Sequence, residues 1–178
     1  RSEQWRSRFQ PLVQIAASFP APMLYPLILL TLHALGWGLG VGAVLFMLIG
    51  TQWYMLFNVL AGASAVPTDL REAAQAYRFT SGQRWRVVWW PAVFPYLITG
   101  WVTAAGSAWN ASIVAEYVSV GPQVSVTKGL GSLISLAASQ GRYDVLSAGV
   151  LTMAVLVVLI NRCLWKPLYR LAETRYAL

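Results

Sequence analysis

Two long apolar runs divide this chain, Leu39–Leu60 and Pro91–Val114, and neither contains a charged residue. At ~1.5 Å per residue, each can cross the ~30 Å hydrocarbon layer of a bilayer as a helix. A further run, Val145–Leu164, has the same character, with Asn161 and Arg162 at its polar end. The earliest candidate, Ala16–Ala34, reaches about 28 Å if fully helical. Pro20, Pro22 and Pro26 interrupt it, so a kink or a broken start is expected there. Gly36–Gly40 reads as a glycine-rich turn with Trp37 at interface height, and Gly38 and Gly42 are spaced for close helix contact. Pro91–Val114 is rich in small residues, Gly100, Ala104, Ala105, Gly106, Ala108 and Ala111, which places it centrally among helices. The expected fold is all-α: a polytopic α-helical membrane protein of about four spans, with residues 1–178 as a single unit.

Between the two uncharged runs lies a polar insert, residues 67–90, that must sit on one face of the membrane. Pro67 suits the start of a helix, and Asp69 suits its first turn, where the dipole favours a carboxylate. Leu70, Ala73, Ala74 and Tyr77 recur at helical spacing as one apolar stripe. The pattern breaks at Arg78-Phe79, and Thr80 with Gln83 reads as a capping box. A second helix then carries Trp85, Trp89 and Trp90 and is expected to end at Pro91. The insert is a helix–turn–helix, small enough either to dock in a partner's groove or to serve as a surface connector.

Beyond the central span, Glu116 to Asp144 reads as an extramembrane stretch with a turn at Gly121-Pro122. Leu130, Leu133, Ile134 and Ala137 mark a short amphipathic helix within it, ending near Gly141. After the last span, Trp165, Lys166 and Tyr169 read as interface anchors. Arg1–Gln10 reads as a cytoplasmic segment or interfacial turn.

Composition sharpens the membrane reading. Hydrophobic residues make up 57% and charged residues 11%, against roughly 45–50% and 25% in soluble domains. The net charge of +7 would suit a nucleic-acid partner. However, the basic residues cluster at the ends of apolar spans: Arg1/Arg6/Arg8, Arg71/Arg78/Arg84/Arg86 and Arg162/Lys166/Arg170/Arg175. That is the positive-inside pattern. It puts both ends and the insert on the cytoplasmic side and excludes nucleic acid as a partner.

Candidate chemistry is sparse. The chain has one cysteine, Cys163, and one histidine, His33, so no internal disulfide, cysteine metal site or metal cluster is expected. No catalytic constellation and no glycine-rich phosphate loop occur, so any ATP must be handled by another protein. Thr103, Ser107 and Asn110 share a face of the central span, and Trp109 adds an indole donor. Polar groups there either line a translocation path or form hydrogen bonds between helices. Gln52 and Asn58 invite the same two readings. A secondary transporter or channel without an ATPase is the competing class, but it would need an ion-coupling carboxylate or a carbonyl filter, and neither is evident.

Glu72-Ala73-Ala74, the Thr80/Gln83 capping pair and Pro91 resemble the EAA loop of bacterial ABC-importer permeases of the type I class. Arg78 stands where that pattern has glycine, and Trp90 where it has an aliphatic residue. A side chain in the left-handed region costs roughly 1–2 kcal/mol, so either Arg78 bears that strain or the turn moves toward Gly82. Asn58–Gly62, the run Trp109–Val118 and Asn161–Glu173 are similar to the sulfonate/nitrate/taurine branch, especially to anion-transport permeases with two permease halves in one chain.

The resemblance implies an inner-membrane permease that moves a small anion by alternating access. It implies that cytoplasmic ABC ATPase subunits use ATP and Mg, that a second permease half pairs with this one, and that a periplasmic or lipid-anchored substrate-binding protein meets the outer loop. The permease itself would bind no cofactor and would not be an enzyme. Glu72, Ala73, Ala74, Tyr77, Arg78, Thr80, Gln83 and Pro91 would form the coupling loop; Glu72 would meet a basic residue of the ATPase and the alanines would allow close approach. Permeases of this kind have at least five spans, so the resemblance also implies further helices upstream in a longer chain.

Overall fold

The computed structural model describes residues 11, 13–15, 17–120 and 123–176. The basic cluster Arg1/Arg6/Arg8, the segment Arg1–Gln10, Ala16 and the turn at Gly121-Pro122 lie outside the described residues. Nearly every described segment is helical, as the apolar runs require, because backbone groups inside a bilayer must be paired within their own element.

The first apolar run is shorter than the sequence suggests. A 3-10 turn, Ala21–Leu24, leads into α1, Tyr25–Ala34. Pro20, extended at φ −67° and ψ 112°, caps the turn, so regular helix cannot continue through it. The apolar helical stretch Ala21–Ala34 spans about 21 Å, short of a ~30 Å core. Three helices, rather than four, are long and apolar enough to cross a membrane among the described residues: Leu39–Ala65, Ser81–Ala115 and Tyr143–Arg175.

α2, Leu39–Ala65, runs antiparallel to the central helix and packs along its length. Gly100 permits that contact, since a Cβ there would lie 3.0 Å from the Met55 Cα and 3.1 Å from the Asn58 Cβ. Gly42 is likewise filled against Leu32 of α1, whereas Gly38, the N-cap of α2, faces open space and makes no close helix contact. Near one end of the pair, Tyr25, Ala43, Phe46, Ala115 and Val118 form a buried cluster, with the Tyr25 and Phe46 rings 3.9 Å apart. At the other end, Val66, Ala74, Val88 and Ala92 form a second cluster with Phe79 and Trp89 against it.

After α2 come α3, Thr68–Ala76, and α4, Ser81–Arg84. The helix opened by α4 does not end at Pro91. It passes through a π turn, Trp85–Trp89, directly into α5, Trp90–Ala115, so one helix runs from the polar insert to the far side of the chain. The Trp90 N–H reaches back to the Trp85 carbonyl. Widening the turn in this way makes room for the Pro91 ring, which would crowd the carbonyl four residues back in a regular helix.

The same device recurs later. α7, Tyr143–Ile160, continues through a π turn at Asn161–Trp165 into α8, Lys166–Arg175, with the Lys166 N–H bonded to the Asn161 carbonyl just before Pro167. The last helix therefore does not stop at Leu164, and Trp165, Lys166 and Tyr169 are helical residues within it. Its far end returns to α5, where the Tyr176 and Phe94 rings lie 4.5 Å apart.

The segment between α5 and α7 holds a hairpin that the sequence reading lacks. β1, Tyr117–Val120, pairs antiparallel with β2, Gln123–Val126, in the register Tyr117↔Val126 and Val120↔Gln123. α6, Leu130–Ser139, follows as expected, with Ile134 and Ala137 buried and Leu133 exposed.

Candidate functional site

The polar insert is built by two local motifs. α3 ends in a Schellman turn: the Phe79 N–H donates to the Ala74 carbonyl at 3.0 Å and the Arg78 N–H to the Gln75 carbonyl at 2.9 Å. Its left-handed residue is Arg78, at φ 52°. The turn has thus stayed at the glycine position of the pattern, and Arg78 bears the strain. Gly82 lies inside α4 with open space around it and takes no part in the turn. Thr80 then caps α4 reciprocally with Gln83: the Thr80 N–H donates to Gln83 Oε1 at 2.8 Å and the Gln83 N–H to Thr80 Oγ1 at 3.4 Å. Pro91 follows the π turn, half-buried.

The apolar stripe of α3 splits between two directions. Ala74 is 4% exposed and belongs to the cluster with Val66, Val88 and Ala92. Leu70 and Tyr77 are 37% and 78% exposed, and Glu72 and Ala73 are exposed as well. Among the described residues Ala74 is the buried member of the stripe, while Leu70 is partly covered and Tyr77 faces outward.

A second attachment comes from Arg71, which sequence reasoning counted only as a cluster member. Its Nη2 donates to the Ala63 carbonyl at 3.3 Å, in the last turn of α2, where helix carbonyls lack internal partners. Its Cζ lies 5.4 Å from the centre of a Trp89 ring. The Nε is buried without a hydrogen-bond partner. No sequence spacing signals this contact, because the two residues meet only after the Schellman turn reverses the chain.

The four candidate path residues do not form one group. Thr103 and Asn110 are exposed and Ser107 half-buried, on a face of α5 shared with exposed Thr99 and Gly106. The Thr103 hydroxyl donates to the Thr99 carbonyl of its own helix at 2.9 Å. Ser107 and Asn110 find no side-chain partner among the described residues, so no hydrogen bond to another helix of this chain explains the face. Trp109 points away from it and lines a mostly apolar cavity of about 460 Å³ with Met47, Ala105, Ala108 and Ser112. On α2, the Asn58 amide donates to the Tyr54 carbonyl of its own helix at 2.8 Å.

Among the described residues no group of three or more His, Cys, Asp or Glu side chains could hold a metal ion.

Comparison with known proteins places this arrangement. Residues 1–164 match the family model described as "Binding-protein-dependent transport system inner membrane component". A protein of Methanocaldococcus jannaschii, provisionally named an ABC transporter permease, is 34% identical over 135 residues, covering 72% of this chain and 47% of the relative. The taurine transport system permease protein of Escherichia coli is 24% identical over 160 residues, covering 88% and 53%. The nitrate import permease protein of Leptolyngbya laminosa is 24% identical over 119 residues, covering 67% and 40%. The chain spans about half the length of the curated relatives it matches.

Proposed function

The chain belongs to the family of binding-protein-dependent transport system inner membrane components, and from that membership we propose that it is a permease part of an ATP-driven importer. It carries a small solute with an anionic group across the inner membrane, nitrate and the sulfonate taurine being the solutes that its relatives' names suggest. Transport runs by alternating access. Cytoplasmic ATPase subunits bind ATP and Mg and close, α3 moves with them, and the helices reorient about the solute path. The polar face of α5 contributes to that path or abuts the second permease half. The outer hairpin and α6 face a substrate-binding protein.

The observation that carries the reading is the outward face of α3. Glu72 and Ala73 are exposed on a nine-residue helix, with exposed Tyr77 as its C-cap, braced between two membrane-length helices. A carboxylate beside a small residue suits a partner groove with a basic side chain. The test is capture: the tagged chain, extracted from membranes in mild detergent, is expected to bring a nucleotide-binding subunit with it. An ATPase-free preparation from cells expressing that subunit would overturn the reading.

A further inference from the structure

The outer end of α5 is fastened to α6 by a contact outside the coupling loop and the polar face. α6 begins after Gly129, an N-cap with no side chain to accept from the first-turn amides. The acceptor is supplied from another element. Glu116, the residue that follows α5, accepts the Ser132 N–H on its Oε2 at 2.9 Å. A carboxylate there also meets the positive end of the α6 dipole. Two further bonds run alongside: the Thr127 N–H donates to the Glu116 carbonyl at 3.0 Å, and Ser135 Oγ to the Ile113 carbonyl at 2.6 Å. The fit depends on missing side chains. A Cβ on Gly129 would overlap the Glu116 carboxylate, and one on Gly131 would overlap the Ser112 carbonyl. Ser112, Ala115 and Ser132 are all buried at this junction.

We propose that Glu116 is a positioning residue that locks α6 to the outer end of α5, so that α6 is carried with α5 during the transport cycle. The lock itself follows from the contacts above; the motion rests on the importer reading. The helix from Ser81 to Ala115 is continuous, so displacement applied at the coupling loop has an unbroken helical route to Ala115. Glu116 is the next residue, and it passes that displacement to α6.

Hydrogen exchange on the intact complex of the chain with its ATPase, with and without ATP plus vanadate, tests this. In the wild type, amides of residues 130–139 exchange equally in both states. Glu116→Ala raises their exchange ~10-fold, the scale of one lost charge-assisted bond, and makes it depend on nucleotide. Glu116→Gln, which keeps an oxygen acceptor of the same reach, restores most of the protection. Gly129→Ala displaces the carboxylate and reproduces Glu116→Ala, which keeps the test decisive if the latter does not accumulate. Exchange within two-fold of wild type in both Glu116→Ala and Gly129→Ala overturns the lock. Exchange raised by the same factor in both nucleotide states reduces Glu116 to a static cap and overturns the carried motion. Residues 68–77 report the importer reading separately: no response to nucleotide there overturns that reading while leaving the lock to be judged by the variants.

Discussion

Arg71 holds its guanidinium 5.4 Å from the centre of a Trp89 ring while its Nη2 bonds the Ala63 carbonyl. One side chain of α3 therefore touches the end of α2 and the π turn that leads into α5 together. Removing it is expected to loosen α3 from both. A cation–π contact contributes about 0.5–1 kcal/mol and a hydrogen bond from a charged donor about 1.5–3 kcal/mol. The buried, unpaired Nε offsets part of this. Arg71→Ala should lower thermal stability by about 1–2 kcal/mol and reduce solute moved per ATP. Arg71→Lys, which keeps charge without the planar stack, should fall between the two. Equal solute per ATP in all three forms would confine Arg71 to stability.

Arg78 makes the opposite prediction. With φ at 52°, it bears a strain of roughly 1–2 kcal/mol that glycine does not. Arg78→Gly should raise the thermal midpoint of the purified complex. Gly82→Ala should raise it too, through a stabilisation of about 1 kcal/mol, because Gly82 sits in a helix with open space at its Cβ. A lower midpoint for Arg78→Gly would mean that the guanidinium makes a contact in the complex worth more than the strain.

These two residues also mark where the sequence stopped being readable. Long apolar runs announced the three long helices, because at that length a helix pairs every backbone group within its own segment inside a bilayer. The capping box was legible at Thr80 and Gln83 because it is a local pattern. The choice between Arg78 and Gly82 was not, since composition gives the cost of a left-handed residue but not the surrounding bonds. Helix ends were misjudged at Pro91 and Leu164 for one shared reason: a π turn lets the helix continue into a proline, and no residue type signals it. The hairpin was written in the alternation Tyr117-Val118-Ser119-Val120 and Gln123-Val124-Ser125-Val126, which the strong helical context overshadowed. Trp109 joined the path residues as an indole donor, yet 100° of helical rotation per residue turns it from the face of Asn110 toward a mostly apolar cavity.

The polar face of α5 yields a third prediction. Thr103 is exposed within this chain and Ser107 half-buried, so enlarging Thr103 should not disturb its own packing and enlarging Ser107 should disturb it little. Thr103→Leu and Ser107→Leu should leave the yield of assembled complex near wild type and sharply reduce transport per complex. Val102→Leu, on another face, should leave transport per complex unchanged. If Ser107→Leu instead lowers yield at normal transport per complex, the face is a packing surface, where overpacking costs typically 1–3 kcal/mol.

Orientation can be read by thiol labelling. Cys163 is exposed and must first be replaced by serine. In that background an Arg78→Cys variant should resist an impermeant reagent in intact cells, while Ser139→Cys should react. The reverse pattern would invert the topology.

The central claim is that α3 couples an ATPase to the spans through its outward face. Its most direct measurement is ATP-driven uptake of nitrate and of taurine, each offered separately, into proteoliposomes carrying the complex, with hydrolysis followed in the same samples. Glu72 is exposed, so Glu72→Lys should leave the fold of the spans intact. The account predicts that this variant hydrolyses ATP while uptake is lost. Uptake at the wild-type rate per ATP hydrolysed would contradict it.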